Sequence, residues 1–303
     1  MTANVVILAS YPKSGNTWLR LLLANLLNPG SEPVPINNID LGRFGTRRQK
    51  FDDYSGWEGS DLSDRELDFF WPDVLIRQAA ESPNTLFLKS HTMLYRNPAG
   101  EWIYPREIVR AVLHLVRHPF DVAVSFANHC GTSLEEAVDA MLMPGYIAAK
   151  QYDRASTSLP QRYGSWAEFN ASWLKAAQAY PVTSLRYEDL LADPNGNFAI
   201  LARAAGLEFS LEKLAQAIDF TRFDRLQAAE MEAGFQERLK HGGKFFRAGR
   251  RGTGREVLNR VLRARIVEAC GEIMEALGYQ ESGDVLDGGK LVSYSHLEAN
   301  TKG

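Results

Sequence analysis

Four short apolar runs stand out along the chain: Val5–Ala9, Thr85–Lys89, Ala111–Val116 and Val182–Leu185. Each is apolar continuously rather than at every second position, the pattern of strands buried on both faces of a parallel sheet. Between and after them, apolar residues recur at helical spacing over Trp18–Leu27, Phe120–His129, Trp166–Ala179, Phe198–Ala205, Leu211–Ile218 and Val257–Leu277. Pro119, directly after the third run, suits the first turn of a helix. Strands alternating with helices predict an α/β fold, with a mostly parallel central sheet flanked by helices. Two stretches break the pattern. Residues 28–75 are rich in Gly, Asp, Pro and aromatics, and residues 141–165 mix Met, Gly, Tyr, Pro and Ser. Both read as irregular insertions overhanging the strand ends, where lids and binding loops are commonly found.

Composition narrows the class without naming a function. The chain has 303 residues, 45% hydrophobic and 23% charged, which is ordinary globular composition. No linker, repeat or low-complexity tract divides it, so a single domain over residues 1–303 is expected. A net charge of −3 gives no global case for nucleic acid or an anionic membrane. Charge is uneven, however: residues 238–265 hold ten Lys and Arg against one acid, Glu256. Cys130 and Cys270 form no disulfide framework or metal pattern and are expected as buried free thiols. The six histidines show no zinc spacing. Val5–Ala9 is too short for a signal-peptide core or a membrane span, and the expected location is cytoplasmic.

The chemistry gathers where apolar runs end. The first run opens into Ser10-Tyr11-Pro12-Lys13-Ser14-Gly15-Asn16-Thr17-Trp18, a turn that runs straight into a helix. A helix start offers unpaired N–H groups and the positive end of its dipole, and Lys13 adds a full charge, so this P-loop-like turn suits a phosphate. It is not a Walker A loop, because Lys13 precedes Gly15, and no dinucleotide-binding Gly-x-Gly-x-x-Gly is present. The second run ends in Lys89-Ser90-His91; a Lys and a His two apart on an extended chain face the same side. His91 there reads either as a general base or as a histidine satisfied by a backbone carbonyl. The third ends in Arg117, before Pro119, Asp121 and Ser125; Arg117 reads equally as a phosphate fork or as half of an Arg117–Asp121 pair. Later come Arg186-Tyr187-Glu188-Asp189 and Phe245-Phe246-Arg247-Ala248-Gly249-Arg250-Arg251-Gly252, where glycines among arginines let the backbone close on an anion.

Together these motifs, in order from about residue 5 to about residue 255, resemble the PAPS-dependent sulfotransferase family, in its soluble, cytosolic-type form. The resemblance implies that Lys13 contacts the 5′-phosphosulfate and steadies the bridging oxygen as its bond breaks. Ser14, Gly15, Asn16 and Thr17 would wrap the 5′-phosphate. Trp18, Tyr187 and Phe223, in Thr221-Arg222-Phe223, would form the adenine pocket. Arg117 and Ser125 would hold the 3′-phosphate, aided by Phe246, Arg247 and Gly249. Lys89 and His91 match the family's catalytic strand, with His91 as the base. The implied donor is PAPS and the implied product 3′,5′-ADP, with no metal. The chain departs from the family pattern at Asn16 (usually Thr), Ala248 (usually Lys, for which Arg250 or Arg251 could substitute) and Gly254 (usually Trp). The family's C-terminal dimer motif is not recognisable after Arg255.

The implied reaction is transfer of a sulfonate to a hydroxyl or amine of an acceptor. The acceptor would be a small molecule or glycoconjugate. Candidate acceptor walls in the two insertions are Phe44, Phe51, Tyr54, Trp57, Phe69, Phe70, Trp71, Tyr146, Tyr152 and Tyr163, some of them simply core. Two alternatives stand beside this reading. A P-loop-like nucleotide kinase would need Mg²⁺ ligands and an acid at a strand end, and no such acid is found. A non-catalytic nucleotide-binding regulatory protein would have no use for the Lys89–His91 pair.

Overall fold

The computed structural model describes residues 3–42, 47–148, 157–239 and 241–285. Strand β1 (Val5–Ser10) leads into α1 (Asn16–Leu27); α2 (Arg48–Ser55) and α3 (Asp64–Glu81) precede β2 (Leu86–Ser90). Strand β3 (Val109–Val116) turns at once into α4 (Pro119–Cys130), followed by α5 (Leu134–Leu142). A small antiparallel pair, β4 (Ile147–Ala148) and β5 (Gln161–Arg162), comes before α6 (Trp166–Lys175) and β6 (Val182–Arg186). The chain then runs through α7 (Tyr187–Ala192), α8 (Pro194–Ala204), α9 (Leu211–Phe220), α10 (Phe223–Ala233), α11 (Thr253–Val257) and α12 (Arg260–Ala276).

The main sheet has the order β2-β1-β3-β6, and all three of its pairings are parallel. Side-chain alternation along β1 explains the two layers. Val5, Ile7 and Ala9 face a core shared with α3, α4, α5, α6 and α12, whereas Val6 and Leu8 face one shared with α1, α7, α8 and α9. Trp166, Trp173 and Phe169 of α6 are fully buried in the first layer, each contributing on the order of 1.5–3 kcal/mol or more by burial. The continuous apolarity of the four runs follows from this burial on both faces.

The chain departs from the sequence reading in several places. Residues 28–75 are irregular only in part: they hold α2 and the larger part of α3, whereas 28–42 and 56–63 form no helix or strand. Helix α3 starts with a capping box in which Ser63 and Glu66 exchange side-chain and backbone hydrogen bonds. Its internal Pro72, lacking an N–H, is what made the run look broken. Helices α5 and α10 were not expected. The helix expected over 257–277 is α12, which starts at Arg260 where Asn259 caps it by accepting from the Leu262 N–H; the short α11 before it was not expected. Helix α6 ends at Lys175 and continues as a 3-10 turn to Gln178.

Parallel strands end on one side of the sheet, and their register decides which end residues meet. Ala9 pairs with Ser90, so Ser10 and His91 are neighbours one residue beyond. Val116 pairs with Arg186, which sets Arg117 beside Tyr187. The motif-bearing turns therefore converge on a single edge.

Candidate active site

That edge opens into one cleft of about 870 Å³. Its lining includes Lys13, Gly15, Asn16, Thr17, Trp18, Lys89, His91, Arg117, Ser125, Tyr187, Thr221, Phe223, Phe246, Arg247 and Gly249. Of the expected catalytic and nucleotide-binding residues, Ser14 alone is not in this lining; it is fully buried, its Oγ without a hydrogen-bond partner.

The turn after β1 is built for close approach. Lys13 is the one non-glycine with a left-handed backbone among the described residues (φ 69°), and Gly15 follows at φ 103°. A side chain at Gly15 would run into the Tyr187 ring, 2.8 Å from Cδ2. Gly15 precedes α1 without any side-chain cap, in contrast to α3, α5 and α6, which all start with Ser–Glu capping boxes. The N–H groups that every helix start leaves over are thus not taken by a side chain at α1. Asn16 turns inward, its Nδ2 donating to the Leu8 carbonyl at 2.9 Å, so only its backbone remains for a ligand.

Cations surround this turn. The Lys13 ammonium lies 3.8 Å from the centre of the Phe245 ring. Burial, then the Lys89 and Arg117 charges, lowers its pKa to about 7. Arg117 donates to the Lys13 and Arg250 carbonyls, both at 3.2 Å, and stacks 4.4 Å from the Tyr187 ring. Its Nε is buried without a partner. The Arg117–Asp121 pair exists, but at 3.9 Å it is loose. Asp121 is held instead by the Gly252 and Gly254 N–H groups, at 2.8 and 2.6 Å. This explains Gly254: a side chain there would collide with the Phe120 backbone. Trp18 donates from its indole to the Thr221 carbonyl (3.0 Å) and meets Tyr187 edge-on at 5.6 Å. The result is an aromatic slot beside the cationic turn.

Of the two readings of His91 left open in the sequence, the structure shows the hydrogen bond to a backbone carbonyl. Its Nδ1 donates to the Ser10 carbonyl at 2.7 Å. A carbonyl can only accept, so Nδ1 carries the proton and Nε2 the lone pair. Burial, then the Lys89 charge, lowers the imidazole pKa to about 3, so the ring is neutral.

Several cleft residues escaped the sequence reading. Arg20 is buried on α1, donating to the Leu41 carbonyl at 2.7 Å and to Glu237 at 2.5 Å. Glu237 also accepts from the Thr17 hydroxyl (3.0 Å) and lies 3.6 Å from Lys89. Burial would raise its pKa, yet the Lys89 and Arg20 charges and these hydrogen bonds hold it at about 2. His129, one turn beyond Ser125, lines the cleft as well, its pKa lowered to about 4 by burial and then by Lys13 and Lys89. Arg20 was visible as a lone charge in an apolar helix, three residues after Thr17; Glu237 lies just outside the basic run and left no signal.

The two insertions supply the outer walls: Ile36, Asn37 and Arg47 from one, Tyr146, Gln161 and Tyr163 from the other. Of the candidate aromatics, Phe44 and Tyr152 lie outside the described residues. Phe51 is buried against Leu67, Val74 and Leu159, away from the cleft, and stacks on Trp71. Tyr163 meets His91 edge-on at 5.9 Å. Arg250 is paired with Glu256 at 2.5 Å, and neither it nor Arg251 is among the described lining residues. Cys130 is half-buried at the cleft and Cys270 is buried; both are free. Among the described residues no cluster of three His, Cys, Asp or Glu could hold a metal ion, and no helix is long and apolar enough to cross a membrane.

A model of the sulfotransferase domain matches residues 4–278. The chain belongs to the sulfotransferase family. Its curated sulfotransferase relatives include Sulfotransferase 1B1 of Canis lupus familiaris, 25% identical over 231 residues, covering 73% of this chain and 66% of that protein. Cytosolic sulfotransferase 17 of Arabidopsis thaliana is 24% identical over 295 residues, covering 92% of this chain and 77% of the relative. The match thus spans about two thirds of the length of the first and more of the second. Among solved sulfotransferase-fold structures, mouse sulfotransferase SULT7A1 complexed with PAP aligns at a TM-score of 0.56 and 17% identity, covering 90% of this chain and 84% of that one. Retinol dehydratase in complex with androsterone and PAP aligns at 0.60 and 17%, covering 91% and 82%.

Proposed function

We propose that this sulfotransferase-family protein moves a sulfonate from PAPS to an acceptor hydroxyl, with His91 as general base. The observation that carries the reading is the His91 Nδ1–Ser10 hydrogen bond, which leaves Nε2 as a lone pair in a cleft also lined by Lys89 and Lys13. The residues fit the donor. Its three anionic groups need several cations, and Lys13, Lys89, Arg117 and Arg247 all line the cleft. The uncapped start of α1 and the unpartnered Arg117 Nε are donors in want of acceptors. PAP is present in the two fold relatives above, which supports the same nucleotide here.

In this reading Ser14, Gly15, Asn16 and Thr17 wrap the 5′-phosphate, chiefly through backbone N–H groups, with the Thr17 hydroxyl as a side-chain donor. Arg117, Ser125 and Arg247 bind the 3′-phosphate with the Gly249 backbone and Phe246 beside them, and Trp18, Tyr187, Thr221 and Phe223 enclose the adenine. Nε2 of His91 takes the acceptor proton as its oxygen bonds to sulfur. The bond from sulfur to the bridging oxygen breaks in line, and Lys13 steadies the charge that arrives there. A positioned base is worth about 10²–10⁴-fold in rate. Tyr163, against His91, and Tyr146, 6.0 Å from Tyr163, form the acceptor side. A cytoplasmic location belongs to the same reading, supported by the cytosolic plant relative.

Labelled PAPS with a panel of phenols, alcohols and amines tests this. Transfer by the wild-type protein and its loss in His91→Ala, with 3′,5′-ADP binding retained, is expected. Undiminished transfer by His91→Ala removes His91 from the mechanism.

A further inference from the structure

Glu237 is a carboxylate placed among the groups assigned to an anionic donor. One oxygen takes the Thr17 hydroxyl at 3.0 Å and lies 3.6 Å from the Lys89 ammonium. The other takes the buried Arg20 guanidinium at 2.5 Å. The position is built rather than incidental. The preceding residue donates its backbone N–H to Asn37 Oδ1 at 2.9 Å, and Gly234 accepts from Asn37 Nδ2 at 3.1 Å. Phe235 is buried in a cluster with Phe246 and Leu226. The backbone leading into Glu237 is thereby fastened.

We propose that Glu237 is an internal competing anion that raises the binding threshold of the cleft's 5′-phosphosulfate site. Its carboxylate and the donor's 5′-phosphosulfate claim the same Thr17 hydroxyl and Lys89 ammonium. This rests on the donor reading above. Displacing the carboxylate would leave Arg20 as a buried charge unless the incoming anion takes its place, so entry is an exchange of one anion for another. Every ligand entering the 5′ site meets the same cost. A small anion such as inorganic phosphate touches only this site and has nothing to offset it. A 3′-phosphorylated nucleotide offsets it elsewhere, at Arg117, Ser125 and Arg247 and in the slot between Trp18 and Tyr187. Glu237 thus raises the threshold for binding and passes only ligands that also fill the distant subsites.

The test is calorimetric binding of 3′,5′-ADP, 3′-AMP and inorganic phosphate to the wild-type protein, E237Q and E237A. Glutamine keeps the shape and removes the charge; alanine removes both, and either folded variant carries the test. Both variants are expected to bind 3′,5′-ADP at least about tenfold more tightly, as removal of a charge-assisted competitor requires. Phosphate binding is expected to strengthen likewise. Affinity for 3′-AMP, which has no 5′ group, is expected to stay unchanged. Unchanged or weaker 3′,5′-ADP binding in the variants overturns the proposal, and so does an equal shift for 3′-AMP, which indicates a general reshaping of the cleft. Wild-type protein that binds neither nucleotide overturns the donor reading itself, and the inference with it.

Discussion

Lys13 offers a quantitative handle on the cleft. Its ammonium is disfavoured by burial and by the Lys89 and Arg117 charges, which lower its pKa from 10.5 to about 7. At about pH 8 roughly nine tenths of Lys13 molecules are then neutral. A phosphosulfate or phosphate placed against it reverses the balance and returns the pKa towards its ordinary value. Binding of 3′,5′-ADP at about pH 8 is therefore expected to take up close to 0.9 proton, and the share of Lys13 at about pH 6 is only about 0.1. The sign follows from the order of the two pKa values. The bound form holds more protons, so affinity falls as pH rises above about 7, by up to tenfold per pH unit, until the bound-state pKa is reached. The nucleotide phosphates are already ionised at the upper pH and do not contribute. Calorimetry in buffers of different ionisation enthalpy measures the uptake directly. The Lys13→Met variant is expected to lose it, whereas Lys89→Met, which removes one of the charges that lower the Lys13 pKa, is expected to keep a reduced uptake. Zero uptake by the wild-type protein, or full uptake by Lys13→Met, refutes the reasoning.

Other expectations follow from the same contacts. Arg117→Lys keeps the charge and loses the fork, so it is expected to weaken 3′,5′-ADP about tenfold more than 5′-AMP; equal weakening, measured by calorimetry, places Arg117 away from the 3′-phosphate. His114 is buried between Ser184 and Asn170, and burial lowers its pKa from 6.5 to about 4. The unfolded chain therefore binds a proton below about pH 6.5 that the folded chain refuses. Stability present above that pH is lost as pH falls towards 4, by about 3 kcal/mol from this residue. Urea unfolding across that window is expected to show a shallower loss in His114→Gln; an identical slope contradicts the assignment. Gly254→Ala forces a methyl into the Phe120 backbone and is expected to cost about 1–3 kcal/mol in the same assay, with no change taken as refutation.

The strands were legible because burial on both faces leaves continuous apolar runs, and β1, β2, β3 and β6 all fall on such runs. The turns at their ends were legible because polar chemistry follows each run abruptly, and parallel register then brings Ser10, His91, Arg117 and Tyr187 together. The helices that were missed have physical reasons. Helix α3 carries aromatics and Pro72 inside its apolar pattern, although its Ser63–Glu66 capping box was there to be read. Helix α10 has an apolar face of little more than Leu226, its single buried apolar residue among polar ones. Glu237 was beyond reach for a different cause: its partners Thr17, Arg20 and Lys89 are 220, 217 and 148 positions away along the chain, and only folding joins them. The aromatics in the insertions read as ligand walls with some of them simply core, and the packing of α2 on α3 uses Phe51 and Trp71 as such a core. Tyr146 and Tyr163 remain at the cleft.

The claim on which the rest depends is that this cleft is shaped for a 3′-phosphorylated adenine nucleotide. Calorimetric titration of the wild-type protein with 3′,5′-ADP and, separately, with ATP–Mg²⁺ tests it most directly. Saturable one-site binding of 3′,5′-ADP, much tighter than any binding of ATP–Mg²⁺, is the predicted result. Tight binding of ATP–Mg²⁺ with none of 3′,5′-ADP contradicts the account.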